Sequence, residues 1–147
     1  MVLTQKVQYA LRAVYELALQ EGGGPVRIAE IAEKQAIPRK FLEVILHQLK
    51  QAGMVASKRG KAGGYYLVLP AKELSIGTVL RFIQGPTNPV NCKIREEECP
   101  LQGQCAFSSF WEEVDRAVSS VYDGTTFRDL IDKQRALEAA KVRDYSI

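Results

Sequence analysis

The stretch from Pro38 to Gly53, PRKFLEVILHQLKQAG, constrains this chain more than any other. Leu42, Ile45, Leu46 and Leu49 recur at helical spacing, and Arg39, Lys40, Glu43, His47 and Lys50 fall on the opposite side. Pro38 suits the first turn of such a helix and Gly53 its C-terminal end. A helix with one apolar stripe has to bury that stripe, so its neighbours must supply a core and leave the charged face free. The flanking segments meet that demand. Val7, Ala10, Leu11, Val14, Leu17 and Ala18 predict an earlier helix with Thr4 as N-cap, ended by EGGGP at 21–25. VRIAEIAEKQ predicts a short second helix with Ile28, Ile31 and Ala32 on one face. Beyond Gly53, apolar runs at 54–57 and 65–69 flank the tip SKRGKAGG, which is the pattern of a β-hairpin.

Helix, helix, short turn, helix, basic hairpin is the order of a winged helix-turn-helix, a mainly α fold with a small β-hairpin wing. In that arrangement the third helix buries one side and offers the other to the major groove of double-stranded DNA. Arg39, Lys40 and Lys50 can pair with guanine edges or phosphates, Glu43 can accept from cytosine N4, and His47 can contact a base or a phosphate. Lys58, Arg59 and Lys61 stand among glycines that let backbone approach a phosphate or a minor groove. Charge follows the same division. Residues 1–70 hold ten Lys/Arg against five Glu, a net of +5, whereas residues 71–147 hold ten Lys/Arg against twelve Asp/Glu, a net of −2. A charged helix face or a basic hairpin by itself is ordinary solvated surface; the two in this order point to a polyanion.

The second half reads differently. LSIGTVLRFIQG predicts a helix capped by Ser75, and residues 86–105, with three prolines and one glycine, should be irregular. AFSSFWEEVDRAVSSVYDG predicts a long helix stopped by Gly124, with Phe107, Phe110, Trp111, Val114, Val118 and Val121 along one side. That stripe is too apolar to face water along its length, so it should pack on its own domain and on a symmetry mate, with Phe107, Trp111, Val114, Val118 and Val121 as the dimerisation residues. TTFRDLIDKQRALEAAK predicts a return helix capped by Thr126 with Asp129 three residues on. The expected organisation is a DNA-binding head at 1–84, a cysteine loop at 85–105, the dimerisation and return helices at 106–134, and a polar tail at 135–147 that frays.

All three cysteines, Cys92, Cys99 and Cys105, lie within fourteen positions of that loop, and the other residues have none. An odd number of thiols closes no disulfide framework. The chain has no apolar run long enough for a membrane span and no signal-peptide core, so it reads as cytoplasmic, where thiols stay reduced. Iron–sulfur clusters take soft thiolate ligands, and C-x6-C-x5-C in a Pro/Gly loop can wrap three of them around one inorganic core. Structural zinc prefers four ligands and C-x2-C knuckles, which are absent. A catalytic cysteine needs a base, and the lone His47 belongs to the basic half. Zinc, bare-thiol sensing and chance free thiols remain as alternatives, as does control by a protein partner. With no nucleophile–base pair, phosphate loop or paired carboxylates, an enzyme is the least supported class.

Three stretches, LTQKVQYALRAVYELA, IAEIAEKQAIPRKFLEVILHQLKQAGMVASKRGKAGGYYLVLP and CKIREEECPLQGQC, together resemble the IscR/NsrR/CymR family of bacterial winged-helix regulators over residues 2 to about 134. The resemblance implies a transcriptional regulator, expected to be a repressor, that forms a homodimer through the long helix and binds a pseudo-palindromic operator. It also implies an iron–sulfur cluster on the cysteines that changes DNA affinity, with 2Fe–2S expected ahead of 4Fe–4S, and DNA-reading roles for Glu43 and Arg59. The chain departs from the family at the fourth cluster ligand. Where IscR-type members carry a histidine three residues after the last cysteine, this chain has Ser108. Where NsrR-type members supply an aspartate from the partner's first helix, it has Gln8. The first cysteine gap is six residues, one more than in those relatives. Gln8 of the partner subunit, Ser108, a loop carboxylate such as Glu98, or an exogenous ligand would complete the set. The run Glu96, Glu97 and Glu98 beside the first two cysteines would disfavour added negative charge there.

Overall fold

The structure is a computed structural model that describes residues 2–90, 92 and 99–146. Its elements are α1 (Gln5–Leu19), α2 (Ile28–Gln35), α3 (Arg39–Gln51), β1 (Val55–Lys58), β2 (Gly64–Leu67), α4 (Ile76–Gln84), α5 (Ala106–Gly124) and α6 (Phe127–Tyr145). This is a mainly α winged helix-turn-helix with a two-stranded antiparallel wing. The expected caps form. Thr4 accepts from the Val7 amide at 3.3 Å, and Ser75 accepts from the Thr78 amide at 3.2 Å. Thr126 and Asp129 make a reciprocal capping box. Pro38 is the N-cap of α3 rather than a residue of its first turn. The described residues of 86–105 carry no named helix or strand. No helix among the described residues is long and apolar enough to cross a membrane.

Helix α1 runs through the centre, packed against α2, α3, α4, α6 and β2. Val7, Ala10, Ala13 and Val14 are fully buried, and the two alanines let neighbouring helices approach closely. Leu42, Ile45, Leu46 and Leu49 of α3 bury against this centre, as the stripe predicts. So do Leu74, Val79, Phe127 and Ile131. The last two matter for the chain's organisation, because they lie beyond α5. The start of α6 thus contributes to the same core as the helices of residues 1–84.

Backbone hydrogen bonds fasten that return. The Ile76 amide donates to the Thr125 carbonyl at 2.9 Å and the Phe127 amide to the Leu74 carbonyl at 3.1 Å, beside a bridge between Ser75 and Thr126. At the same corner Arg81 of α4 grips Asp123 of α5 with two hydrogen bonds, at 2.6 and 3.0 Å. The guanidinium holds the Asp123 carboxyl below its ordinary pKa, and the carboxylate raises that of Arg81. Gly77 leaves the space for this pair, because a Cβ there would collide with the Asp123 carboxylate. Beyond the core, α6 continues as helix to Tyr145, so residues 135–145 do not form the frayed tail expected from their polarity. The capping box, with the Asp129 carboxyl held below its ordinary pKa chiefly by the Thr126 amide, gives that helix a firm start.

Phe127 is the anchor of this closure, at 0% exposure. Phe127→Ala should lower stability by about 3–5 kcal/mol, measured by denaturant unfolding, because it empties a large core site.

Candidate DNA-reading face and cysteine pocket

The turn between α2 and α3 sets how the third helix leaves the core. It passes through Ala36, a non-glycine residue in the left-handed region at φ 50°. Two side chains of α1 hold it there. Arg12 donates to the carbonyls of Gln35 and Ala36. Glu16, buried to 3% exposure, accepts from the Gln35 side chain at 2.9 Å and pairs with Lys34 at 3.4 Å. Lys34 also bonds Glu30 at 2.7 Å, and these carboxylates raise its pKa.

With α3 so placed, Arg39, Lys40, Glu43, His47 and Lys50 are all exposed, as their spacing predicts. They are not equally free. Arg39 and Glu43 face each other at 3.5 Å, a contact that has to rearrange if either is to meet a base. Lys50 donates to Ser57 of β1 at 2.6 Å, so it ties the recognition helix to the wing. Sequence spacing alone did not distinguish Lys50 from its neighbours, because its partner lies across a turn. Phe41 and Val44 are also exposed on this helix. Helical spacing already puts both off the buried stripe, between charged residues of the sequence.

The wing pairs Val55 with Leu67, Ala56 with Tyr66, Ser57 with Tyr65 and Lys58 with Gly64. A third segment joins it, since Val26 and Tyr65 exchange two backbone hydrogen bonds of 2.8 Å. Gly64, at φ 151°, makes this possible, because a Cβ there would strike the Val26 backbone. Arg27 donates to the Lys61 carbonyl and steadies the tip. Lys58, Arg59 and Lys61 are exposed on it, and the wing follows α3 in the order that the sequence predicts.

The cysteines lie in the second half of the chain, at the start of α5. Cys92, Cys99 and Cys105 line one cavity of about 150 Å³, together with Ser108, Trp111 and Glu112. Cys105 is the N-cap residue of α5, and Ser108 and Glu112 follow along that helix. Glu112 was not among the residues singled out by sequence; its placement one turn after Ser108 becomes meaningful only once the loop folds over α5. Among the described residues, no three Cys, His, Asp or Glu side chains stand close enough to hold a single metal ion. Glu96, Glu97 and Glu98 lie outside the described residues. Gln8 is exposed on α1, its side chain donating to the Leu3 carbonyl at 3.5 Å, and does not line this cavity within the chain.

Comparison with known proteins decides the family. The Rrf2 family, described as "Iron-dependent Transcriptional regulator", matches residues 3–133. The chain belongs to the Rrf2 family. It is 33% identical over 140 residues to the HTH-type transcriptional regulator IscR of Yersinia pseudotuberculosis, covering 95% of this chain and 85% of that protein. Among solved structures it resembles CymR, the global cysteine regulator of B. subtilis, with a TM-score of 0.79 and 31% identity over 90% of this chain and 98% of that one. It also resembles IscR of T. potens, with a TM-score of 0.75 and 28% identity over 91% of this chain and 88% of that one. The Rrf2 chain is thus a DNA-binding transcriptional regulator and not an enzyme.

Gly64→Ala should displace the wing from Val26, a buried core residue, and so both weaken DNA binding and lower the melting temperature, as a mobility-shift titration beside a thermal melt would show. Arg59→Ala should cost about 1–3 kcal/mol of operator affinity in the same titration if Arg59 makes a specific contact.

Proposed function

We propose that this Rrf2 regulator is a cytoplasmic homodimer that represses from a pseudo-palindromic operator, its affinity set by an iron–sulfur cluster on Cys92, Cys99 and Cys105, with 2Fe–2S ahead of 4Fe–4S. The observation that carries the reading is the convergence of three thiols, spread over fourteen residues, on one cavity at the start of α5. The donor set suits the group: thiolates are the ligands that iron–sulfur clusters take, and a core with several irons accepts donors spaced more widely than one ion does. When bound, such a cluster would supply an oxidant-sensitive centre. The family description supports iron, and the IscR relatives support a cluster-type regulator.

The protein's own part is to hold and transmit. Ser108 and Glu112 offer oxygen donors inside the cavity, and Gln8 of the partner subunit remains the proposed donor from outside it. An oxygen or amide is harder than a thiolate and binds a cluster iron less firmly, so the iron it meets would be the exposed one. Dimerisation through α5 is supported by its lack of any buried residue in the single chain. Phe107, Phe110 and Val121 are 64%, 50% and 66% exposed, while Trp111, Val114 and Val118 are partly buried within the chain. An apolar stripe of this length calls for a second surface. A copy of the same helix would supply it and would set two recognition helices at a fixed spacing.

Anaerobically purified protein should be coloured, with iron and sulfide in stoichiometric amounts. Cys92→Ala, Cys99→Ala and Cys105→Ala should each abolish the visible absorbance and change operator affinity. Colourless protein carrying zinc, or single variants with the full spectrum, would remove the cluster from the mechanism. Val118→Asp should yield monomers in sedimentation and bind the operator poorly; a dimeric, DNA-competent variant would place the interface elsewhere.

A further inference from the structure

An apolar side chain is exposed at the flank of the charged face of α3. Val44 is 54% exposed, one helical turn after Lys40 and three residues before His47, both of them exposed. The helix does not use it for its core, which Leu42, Ile45, Leu46 and Leu49 fill. Phe41, at 60% exposure in the first turn, rests beside Tyr9 of α1 with ring centroids 6.3 Å apart, so the head's own packing partly accounts for it. Val44 sits closer to the centre of the outward face.

A lone exposed valine is ordinary on most surfaces. Here its surroundings decide otherwise. Arg39, Lys40 and Lys50 are exposed on the same helix, and Lys58, Arg59 and Lys61 add exposed positive charge on the wing that Lys50 ties to it, which draws duplex DNA. Against base edges valine offers neither hydrogen bond nor charge. The apolar feature that the major groove presents is the C5-methyl of thymine. Valine suits that target because its branched Cβ holds one rotamer in a helix, so little freedom is lost on contact. We propose that Val44 is a specificity-determining residue that reads a thymine methyl in the operator. This rests on the docking of α3 in the major groove, and is tested separately from it.

The full-length protein would first be used to select bound duplexes from a random library. Each thymine of the selected operator would then be replaced in turn by deoxyuridine, which deletes only the methyl. One position should weaken the native protein about fourfold per contact, the effect of burying one methyl group. Val44→Ala should bind the thymine and uracil duplexes alike, whereas Val44→Thr, which keeps a branched Cβ and one methyl, should retain the preference. Because Val44 is exposed and alanine is a better helix former, Val44→Ala is expected to fold, checked by its melting curve. A native protein indifferent to uracil at every position, or a Val44→Ala variant with the native thymine-to-uracil ratio, would overturn the assignment while leaving DNA binding intact. Recovery of no bound duplex would overturn the docking itself, and the assignment with it.

Discussion

The burial of α1 is the constraint on which the other elements depend. Its residues Val7, Ala10, Val14 and Leu17 lose essentially all contact with water, and α2, α3, α4, α6 and β2 gather around them. Each of those neighbours is short or one-sided, and none could bury its own stripe alone. Small residues at Ala10 and Ala13 set the approach distance, so a larger side chain there would move several elements at once. The orientation of the recognition helix is therefore a property of the core as much as of its own sequence.

Polar groups of the same helix add direction to that packing. Arg12 and Glu16 both reach the end of α2, where the chain turns through the left-handed Ala36 into α3. The Glu16 carboxylate is buried, but its partner Lys34 is 46% exposed, so the pair is partly screened and adds little net stability. Its effect is better described as geometric. A carboxylate taken from water must keep its partners, and Gln35 and Lys34 satisfy it only while the turn holds this shape. The wing is held in a similar way, by Val26 backbone, Arg27 and Lys50 from outside the hairpin.

The segment between α4 and α6 has the opposite character. It leaves the core after Gln84 and returns at Phe127, and α5 between them has no buried residue. Its far end is tied to α4 by Arg81 and Asp123, while its beginning carries the cysteine cavity. A helix with few buried contacts opens at low free energy, and an element of that kind is suited to respond to a bound group. Movement at its start would be passed to α4 through the ion pair and from α4 to α1, which holds the recognition helix.

Much of the molecule was legible in the sequence because its signals are local. Helical spacing identified Leu42, Ile45, Leu46 and Leu49 as core and their opposite face as exposed; Thr4, Ser75 and Thr126 announced their caps through side chains that reach only three residues. Patterns of this range need no knowledge of distant segments. The same locality explains what was hidden. The polar composition of residues 135–145 hides a helix that starts from the Thr126 capping box and the buried Phe127. Lys50 looks like any free cation until Ser57 is brought across the turn, and Glu112 looks like surface until the cysteine loop folds beside it. The sequence alone determined which residues can be helix, wing and core, through short-range sterics and hydrophobic period. Only the tertiary structure decided which charges are exposed, which are committed, and which distant residues complete the core, because those depend on contacts between residues far apart in the chain.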